Sequence, residues 1–410
     1  MADLHLSHPT GRVIGRISVP GSKSESNRLL ILKALYAPDL ELEGLSTSND
    51  TRVLQKLLEA YRDGQVLSAE DAGTAMRFGL AFLATQSGSW EIDGSARMRE
   101  RPLGVLGEAL QKLGAEVEYL KKPGYPPLRI KGGHLQGGSL KVDGSQSSQF
   151  ISALMMIGPS LPQGLEIQID GFSVSTPYIY LTANIMRRLG LAAHILGDKI
   201  VIPAREQNYR PPQSFSIEPD WSAASYWYLL ALLAQKAEIY LPGFRQHSLQ
   251  GDSFVANLFA PLGIDSHFIG AGFRLKRTEA SQSSFDINLV HNPDLAQTMA
   301  VAFAAMNYPA RIKGLQTLRI KETDRLAALQ NELSKTGAQI EVGEDFLEIK
   351  RGVQRVEGLR FETYGDHRMA MALAPLALLG EITIARPEVV NKSYGSFWQD
   401  LAKVKFDLPR

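Results

Sequence analysis

EALQKLGAEVEYL, residues 108–120, has the pattern of an amphipathic helix that ends at a glycine and continues into a strand. The spacing of its apolar residues indicates the helix, the glycine suits a helix end, and the alternation after it indicates a strand. Similar segments occur at residues 184–196 (NIMRRLGLAAHIL), 257–269 (NLFAPLGIDSHFI) and 331–342 (NELSKTGAQIEV). This recurrence predicts a chain built from repeated α/β units.

Around these segments a larger unit recurs six times. Each copy opens with small polar or acidic residues and an apolar helix, followed by a β-rich segment and, in most copies, an amphipathic helix. The openings lie near Gly21, Gly73, Gly144, Asp220, Asp294 and Gly365. Between the third and fourth copies lies PAREQNYRPPQSFSIEPD, residues 203–220, whose prolines and polar residues are typical of a crossing between domains. A solenoid is the alternative, but the long units and the central break favour two similar domains.

The composition limits the class of protein. The chain has 410 residues, of which 44% are hydrophobic and 21% charged, and its formal net charge is +1. A general nucleic-acid or membrane binder would carry a broad basic surface, so we expect neither partner. The absence of cysteine excludes disulfides, thiolate catalysis and cysteine-bound zinc. Without a long apolar run or a signal-like N-terminus, we expect a cytoplasmic protein.

PGSKSESNR, residues 20–28, stands directly before the apolar run that begins at Leu29. It predicts a helix start, where free backbone N–H groups and the positive end of the helix dipole favour anions. Lys23 adds a point charge, and Arg28 adds a planar fork suited to phosphate or carboxylate. The alternative is an ordinary serine-capped helix with a solvated basic edge.

The openings of the later copies differ, because Asp220, Asp294 and Asp366 stand there. Such residues could orient substrates or transfer protons, although an N-cap is the commonest role of aspartate at a helix start. A second charged cluster is RIKETDRL, residues 319–326, which we predict to be a helix start with Lys321 and Arg325 on one face. The alternative is a surface ion-pair lattice, which would contribute little.

Further cations lie in MRERPLG, residues 98–104, in GDHRMAMA, residues 365–372, and at Lys392. Cations gathered at repeat boundaries on a near-neutral chain indicate a site for a polyanionic small molecule. His367 is expected to be positional, since it has no obvious proton to carry.

Seven motifs of the sequence resemble those of the EPSP synthase family of enolpyruvyl transferases. The motifs that carry the resemblance are PGSKSESNR (20–28), AGTAMR (72–77), RERP (99–102), DGSQSSQF (143–150), SLQGD (248–252), KETDRL (321–326) and DHRMAM (366–371). The resemblance implies an α/β protein of two similar domains, each with three βαβαββ units (an inside-out α/β barrel), and an active site in the cleft between them. The predicted domains are residues 19–219, and residues 1–18 together with 220–410.

The resemblance also implies a reaction. The enolpyruvyl group of phosphoenolpyruvate would pass to the 5-hydroxyl of shikimate 3-phosphate, giving 5-enolpyruvylshikimate 3-phosphate and phosphate. The residues implied for shikimate 3-phosphate are Lys23, Ser24, Arg28, Ser147, Ser148, Gln149, Ser175, Asp294 and Lys321. Those implied for phosphoenolpyruvate are Lys23, Gly73, Arg101, Gln149, Arg325, Arg368 and Lys392. We expect a monomer that needs no metal and no organic cofactor.

Two carboxylates in unlike surroundings suit the proton transfers of this reaction. By the resemblance, Asp294 is the base for the 5-hydroxyl and Glu322 handles the proton of the methylene carbon. Lys23 stabilises charge or shares in proton transfer, and the division of roles stays open. The alternatives are a UDP-N-acetylglucosamine enolpyruvyl transferase and a non-catalytic anion-binding relative. The first typically carries a loop cysteine and a Lys-Asn pair that are absent here, and the second is expected to have lost Lys23, Asp294 or Glu322.

Four residues depart from the family pattern: Glu25, Asp71, Phe78 and Thr317. An inward-facing carboxylate would repel anionic substrates, so we expect Glu25 to face away from them. These departures leave sensitivity to the inhibitor glyphosate open, while the reaction class does not depend on them.

Overall fold

The structure is a computed structural model that describes residues 3–61, 66–145, 147–171 and 174–408. It divides into two compact units, Gly21–Ile217, and Met1–Pro20 with Glu218–Arg410. The predicted domain limits, at residues 19 and 219, stay a prediction. No described residue belongs to a helix that is long and apolar enough to cross a membrane.

Helices and strands are interspersed throughout the described part of the chain. The α-helices are α1 (Lys23–Tyr36), α2 (Asn49–Ala60), α3 (Gly73–Thr85), α4 (Gly104–Leu113), α5 (Ser148–Ile157), α6 (Thr176–Arg188), α7 (Trp221–Leu233), α8 (Val255–Phe259), α9 (Ala296–Ala305), α10 (Arg325–Ser334), α11 (His367–Leu373) and α12 (Phe397–Lys403). Short 3-10 helices are Met98–Glu100, Gly158–Ser160, Gly251–Phe254, Ala260–Leu262, Pro293–Leu295, Gln316–Ile320, Ala374–Leu378 and Pro387–Lys392.

The strands are short. They are β1 (Leu4–Leu6), β2 (Arg12–Arg16), β3 (Glu41–Glu43), β4 (Leu67–Ser68), β5 (Gly88–Asp93), β6 (Glu116–Tyr119), β7 (Leu128–Gly132), β8 (Gly138–Asp143), β9 (Leu165–Asp170), β10 (His194–Leu196), β11 (Lys199–Ile202), β12 (Ser214–Ser216), β13 (Lys236–Pro242), β14 (Ile264–Phe268), β15 (Gly272–Arg277), β16 (Phe285–Asn288), β17 (Ala310–Lys313), β18 (Gln339–Val342), β19 (Phe346–Arg351), β20 (Leu359–Phe361) and β21 (Ile382–Ile384).

Four sheets share one topology, which confirms the predicted repeat. Their strand orders are β4-β5-β7-β6, β8-β9-β11-β10, β2-β13-β15-β14 and β16-β17-β19-β18. In each, the first two strands pair parallel and the last two form an antiparallel hairpin. This is a βαβαββ unit, because a parallel pair needs a crossover and the crossovers here contain helices.

The remaining copy in each unit is completed by a distant segment of chain. In unit Gly21–Ile217, β12 pairs parallel with β3, so the end of the unit returns to its beginning. In the other unit, β20 pairs parallel with β21, and β1 adds antiparallel through Leu4 and Ile384. The first residues of the chain therefore fold with the C-terminal unit.

Four glycines end the second helices as the sequence predicts. Gly114, Gly190, Gly263 and Gly337 have φ between +81° and +116° and precede the hairpins β6–β7, β10–β11, β14–β15 and β18–β19. An L-residue with a side chain rarely adopts this conformation, so glycine is the residue that allows the tight exit from each helix.

The first helix of each copy lies in the core. Every residue of α7 except Ser222 is buried, as is all of α3 except Thr85, which matches their apolar sequences. In unit Gly21–Ile217, α1, α3 and α5 pack against one another, and in the other unit α7, α9 and α11 do the same. Because these helices follow the repeat openings, their N-termini place the motif residues close together within each unit.

Candidate active site

The start of α1 is a capped helix N-terminus, as predicted. The hydroxyl of Ser22 accepts from the backbone N–H of Glu25 at 3.4 Å. The Lys23 ammonium lies 3.1 Å from Oδ2 of Asp50, and the two side chains are only 15% and 5% exposed. The lysine is thus oriented at the helix start while part of it stays accessible.

Arg28 is buried and ties three helices together. Its Nε donates to Oγ1 of Thr182 at 2.7 Å, and its Nη2 donates to Oγ of Ser152 at 3.1 Å. Its Nη1 donates to the carbonyl of Ser24 at 3.0 Å. Burial lowers the pKa of Arg28 to about 10, so the side chain remains a cation at neutral pH. These contacts give the Arg28 guanidinium a structural role, in addition to its predicted role in binding an anion.

Gly73, the first residue of α3, lies against two guanidinium groups. A Cβ atom at Gly73 would lie 2.6 Å from Nη1 of Arg77 and 2.9 Å from Nη1 of Arg101. Ala72, which precedes the helix, makes no side-chain cap hydrogen bond. The free helix N–H groups and two cations therefore converge on one place, which is a favourable arrangement for an anion.

Arg101 carries the clearest signal of a ligand. Arg101 is only 8% exposed. Within the ranges that the structure describes, no group forms a hydrogen bond or ion pair with its guanidinium. A buried cation without a partner is costly, so an anion from outside the protein is the natural complement.

Arg77 is a residue that the sequence reasoning missed, although it ends the AGTAMR motif. It is 4% exposed, and its Nη1 donates to the carbonyl of Gly73 at 3.1 Å and to Oε1 of Gln149 at 3.2 Å. Through this contact Arg77 joins the start of α3 to the start of α5. Its basic side chain beside the predicted residue Gly73 was the available signal.

Three predicted serines stand at helix starts in the same unit. Ser147 caps α5 by accepting from the N–H of Gln149 at 3.3 Å, and Ser148 is the first residue of that helix. Ser175 precedes α6, where its side chain forms no cap hydrogen bond. Its φ of +54° is uncommon for a residue other than glycine, and such conformations concentrate at functional positions.

In the C-terminal unit, Arg325 is surrounded by carboxylates. Its side chain is 2% exposed, with Nε 2.7 Å from Oδ2 of Asp366 and Nη2 2.9 Å from Oε2 of Glu322. Nη1 lies 3.1 Å from Oδ1 of Asp294. Burial alone would lower the pKa of Arg325, but these three carboxylates outweigh it and hold the pKa above its ordinary value. The predicted alternative of an exposed lattice does not apply at Arg325.

Asp294 is shared by two arginines. Its Oδ2 lies 2.9 Å from Nη2 of Arg368, and its carbonyl accepts from Nη1 of Arg368 at 3.2 Å. The Asp294 side chain is 20% exposed, whereas that of Asp366 is fully buried. The sequence predicts both as candidates, and the structure makes Asp294 the accessible one.

The structure separates the three opening aspartates by role. Asp220 caps α7 through the N–H of Ala223 at 3.0 Å, and Asp366 caps α11 through the N–H of Arg368 at 2.8 Å. Asp294 lies inside the 3-10 helix Pro293–Leu295 and caps neither that helix nor α9. Asp366 also pairs with Arg325 while it caps a helix. Of the three aspartates, Asp294 is the one that pairs with arginines and does not cap a helix.

The prediction for Lys321 was wrong in its local structure. Helix α10 begins at Arg325, capped by Asp324, and Lys321 has extended backbone angles after the 3-10 helix Gln316–Ile320. The cap at Asp324, which accepts from the N–H of Ala327, fixes the helix start too late for Lys321 and Arg325 to share a helical face. Lys392 ends the 3-10 helix Pro387–Lys392 and is half-buried.

Asp252 is a second residue that the sequence reasoning left without a role. It is 4% exposed and accepts hydrogen bonds from the Ser222 hydroxyl and, at 3.3 Å, from Nδ2 of Asn292. Burial raises the pKa of Asp252 to about 6, and the negative charge of Asp294 adds to the rise. A carboxyl with a raised pKa therefore lies within electrostatic reach of Asp294.

Two of the departures from the family pattern have a visible place in the fold. The Phe78 ring centroid lies 5.3 Å from Cζ of Arg28, so the aromatic ring packs over the guanidinium. Glu25 is 1% exposed, so its side chain does not point to solvent, and its charge acts favourably on Arg28. That Glu25 faces away from the substrates stays a prediction.

The fold is shared with solved structures of enolpyruvyl transferases. An EPSP synthase from Acinetobacter baumannii superposes with a TM-score of 0.76 at 20% sequence identity and covers 100% of both chains. The enolpyruvyl transferase NikO from Streptomyces tendae superposes with a TM-score of 0.74 at 15% identity, covering 99% of this chain and 98% of that one. The architecture is therefore the enolpyruvyl transferase fold, as predicted.

The sequence comparisons define the family within this fold. Residues 53–401 match the model of the family described as EPSP synthase (3-phosphoshikimate 1-carboxyvinyltransferase). A 3-phosphoshikimate 1-carboxyvinyltransferase from Bacteroides fragilis is 43% identical over 98% of both chains, and one from Citrobacter koseri is 36% identical over 97% of both. The chain belongs to the EPSP synthase family, which is a family of enzymes.

Proposed function

We propose that this chain transfers the enolpyruvyl group of phosphoenolpyruvate to the 5-hydroxyl of shikimate 3-phosphate, with release of phosphate. Membership of the EPSP synthase family supports the reaction. The observation in the fold that carries the proposal is the buried guanidinium of Arg101, which has no protein partner among the described residues and lies beside Gly73 at the start of α3. This arrangement suits a phosphate or carboxylate group, and phosphoenolpyruvate carries both.

The residues of unit Gly21–Ile217 are assigned mainly to charge recognition. Lys23, Arg101, Gly73 and Gln149 are assigned to phosphoenolpyruvate, and we add Arg77 because it bonds to both Gly73 and Gln149. The helix-start residues are assigned to shikimate 3-phosphate, and their hydroxyls and cations suit its phosphate. They are Lys23, Ser24, Arg28, Ser147, Ser148, Gln149 and Ser175.

The residues of the C-terminal unit are assigned to proton transfer and to further cations. Asp294 accepts the proton of the 5-hydroxyl as its oxygen attacks C2 of phosphoenolpyruvate. Glu322 delivers a proton to the methylene carbon and removes one again when the carbon–oxygen bond to phosphate breaks. Arg325 contacts both carboxylates, so one rigid group holds the two acid–base residues. The other residues assigned here are Lys321, Arg368 and Lys392, which bind the anionic groups.

Compartment and assembly belong to the same proposal. We propose that the enzyme acts in the cytoplasm. We propose a monomer in which this one chain carries every residue assigned to the reaction. Light scattering during gel filtration measures the mass in solution directly, and a stable dimer would contradict the assignment.

Phosphate release with phosphoenolpyruvate and shikimate 3-phosphate tests the function. Release with this pair, and none with UDP-N-acetylglucosamine as acceptor, is expected. Glu322→Gln is expected to lower turnover about 100- to 10,000-fold, the usual scale for an acid–base group. Glu348→Gln is the matched control, because Glu348 pairs with Arg311 and its side chain is 30% exposed. A folded protein that binds both substrates without releasing phosphate would support a non-catalytic relative instead.

A further inference from the structure

The loop between β6 and β7 presents two adjacent lysines, Lys121 and Lys122, to solvent. The backbone N–H of Leu103 donates to the carbonyl of Gly124 at 2.8 Å. Leu103 is two residues beyond Arg101, and Gly124 is two residues beyond Lys122. This hydrogen bond therefore fixes the lysine-bearing loop against the segment that carries Arg101.

These lysines differ from the other cations of the same sheet. Arg129 lies 2.6 Å from Glu91 and 2.8 Å from Glu118, and Lys131 lies 2.8 Å from Glu116. Such pairs cancel much of the field that a cation sends into solvent.

Lys121 and Lys122 form no such ion pairs among the described residues. Across the described part of the chain, neither forms an ion pair with a carboxylate. The Lys122 ammonium lies 3.9 Å from the centroid of the Tyr125 ring, which orients the charge without cancelling it. The loop tip thus carries two positive charges that form no ion pair among the described residues.

The field of this loop reaches the arginine segment. The hydrogen bond from Arg99 lowers the pKa of Asp93, and the charge of Lys121 lowers it further. Arg99 and Arg101 belong to one short stretch after β5, so Lys121 lies within electrostatic reach of the carboxylate that pairs with this stretch through Arg99. Exposed charges act over about 10 Å at moderate salt, the Debye length.

We propose that Lys121 and Lys122 form an electrostatic steering site that draws phosphoenolpyruvate toward Arg101. The inference rests on the proposed function, in which Arg101 binds this substrate. Exposed charges without an ion-pair partner near a binding site raise the association rate of an oppositely charged ligand, and salt removes the effect. The two lysines are not required to touch the substrate in the bound state.

The double substitution Lys121→Gln and Lys122→Gln tests the steering. At about 20 mM ionic strength, kcat/KM for phosphoenolpyruvate is expected to fall about three- to tenfold, with kcat unchanged. At about 500 mM the difference is expected to shrink below about twofold. The control is Lys131→Gln with Lys141→Gln, which removes the same net charge from lysines paired with Glu116 and Asp170.

Two results would overturn the steering site. An equal loss in the control would show that only net charge matters, and a loss that persists at 500 mM would indicate a direct contact. Absence of turnover in the unsubstituted enzyme would instead contradict the proposed function. In that case the same comparison is made on the calorimetric Kd for phosphoenolpyruvate, and equal values for both variants at low salt would contradict the steering.

Discussion

Arg325 holds Asp294 by one oxygen, with 3.1 Å between its Nη1 and Oδ1 of the carboxylate. The other oxygen of Asp294, Oδ2, lies 2.9 Å from Nη2 of Arg368. Two arginines thus fix the plane of a carboxylate that is still 20% exposed. A group held in this way is oriented before a substrate arrives, which is what a base in a preorganised site requires.

Asp294→Asn is expected to lower turnover about 100- to 10,000-fold, because the amide keeps the shape of the side chain but cannot accept the hydroxyl proton. Steady-state phosphate release measures the change. Asp286→Asn is the control, since Asp286 is an exposed carboxylate paired with Lys313 at 2.8 Å. Near-normal turnover in Asp294→Asn would remove the residue from the role of base.

Gly73→Ala is expected to raise KM for phosphoenolpyruvate about 10- to 100-fold while the protein stays folded. The added Cβ would lie 2.6 Å from Nη1 of Arg77 and 3.0 Å from Nη2 of Arg101. These atoms are the ends of flexible side chains, so the guanidinium groups are expected to move. The affinity for the anion then falls about 10- to 100-fold.

Gly104→Ala is the matched control for this change. Gly104 is also the first residue of a helix, and the nearest atom to its added Cβ would be 3.6 Å away, at Gly124. KM is expected to change less than about twofold, because no charged group is displaced. Equal effects of the two substitutions would show that the guanidinium groups at Gly73 are not the cause.

Asp252 gives the stability of the protein a pH dependence. Its carboxyl ionises near 3.8 in an unfolded chain and near 6 in the folded protein. Between these values the folded state binds more protons, so stability falls as the pH rises. Above pH 6 the full penalty of the buried charge remains.

Asp252→Asn removes this titration. The variant's free energy of unfolding minus that of the unsubstituted protein is expected to increase by about 1–3 kcal/mol from pH 4 to pH 7. Thermal unfolding at several pH values measures the trend, with Asp286→Asn as an exposed control. A difference that stays constant with pH would contradict the raised pKa of Asp252.

The repeat, its hairpins and the glycine exits were predictable because they depend on local rules. Apolar spacing fixes the helix faces, and Gly114 or Gly337 can adopt a positive φ that other residues avoid. Lys321 shows where such rules compete: KETDRL favours a helix throughout, yet Asp324 caps the helix one residue before Arg325. The sequence contains both signals and does not rank them.

The candidate site was predictable by residue type but not by partner. Arg77 and Gln149 are 72 positions apart and meet because α3 and α5 pack together. The raised pKa of Asp252 likewise depends on burial and on Asp294, which follows it by 42 positions. Side-chain partners of this kind follow from tertiary packing, which no local pattern encodes.

Arg28→Lys is expected to destabilise unit Gly21–Ile217 by about 2–4 kcal/mol, although it keeps the charge. A lysine ammonium cannot bond at once to Thr182, Ser152 and the carbonyl of Ser24, as the guanidinium does. It also loses the planar contact with the Phe78 ring. The buried hydroxyls are then left with fewer partners.

Thermal unfolding measures this effect, and a fall in Tm of roughly 4–10 °C is expected for a unit of this size. Arg129→Lys is the matched control, because Arg129 makes ion pairs with Glu91 and Glu118 on an exposed surface where its side chain is 44% accessible. Its replacement is expected to change stability by less than about 0.5 kcal/mol. A Tm loss of the same size in both variants would show that the buried contacts of Arg28 contribute no more than an exposed ion pair.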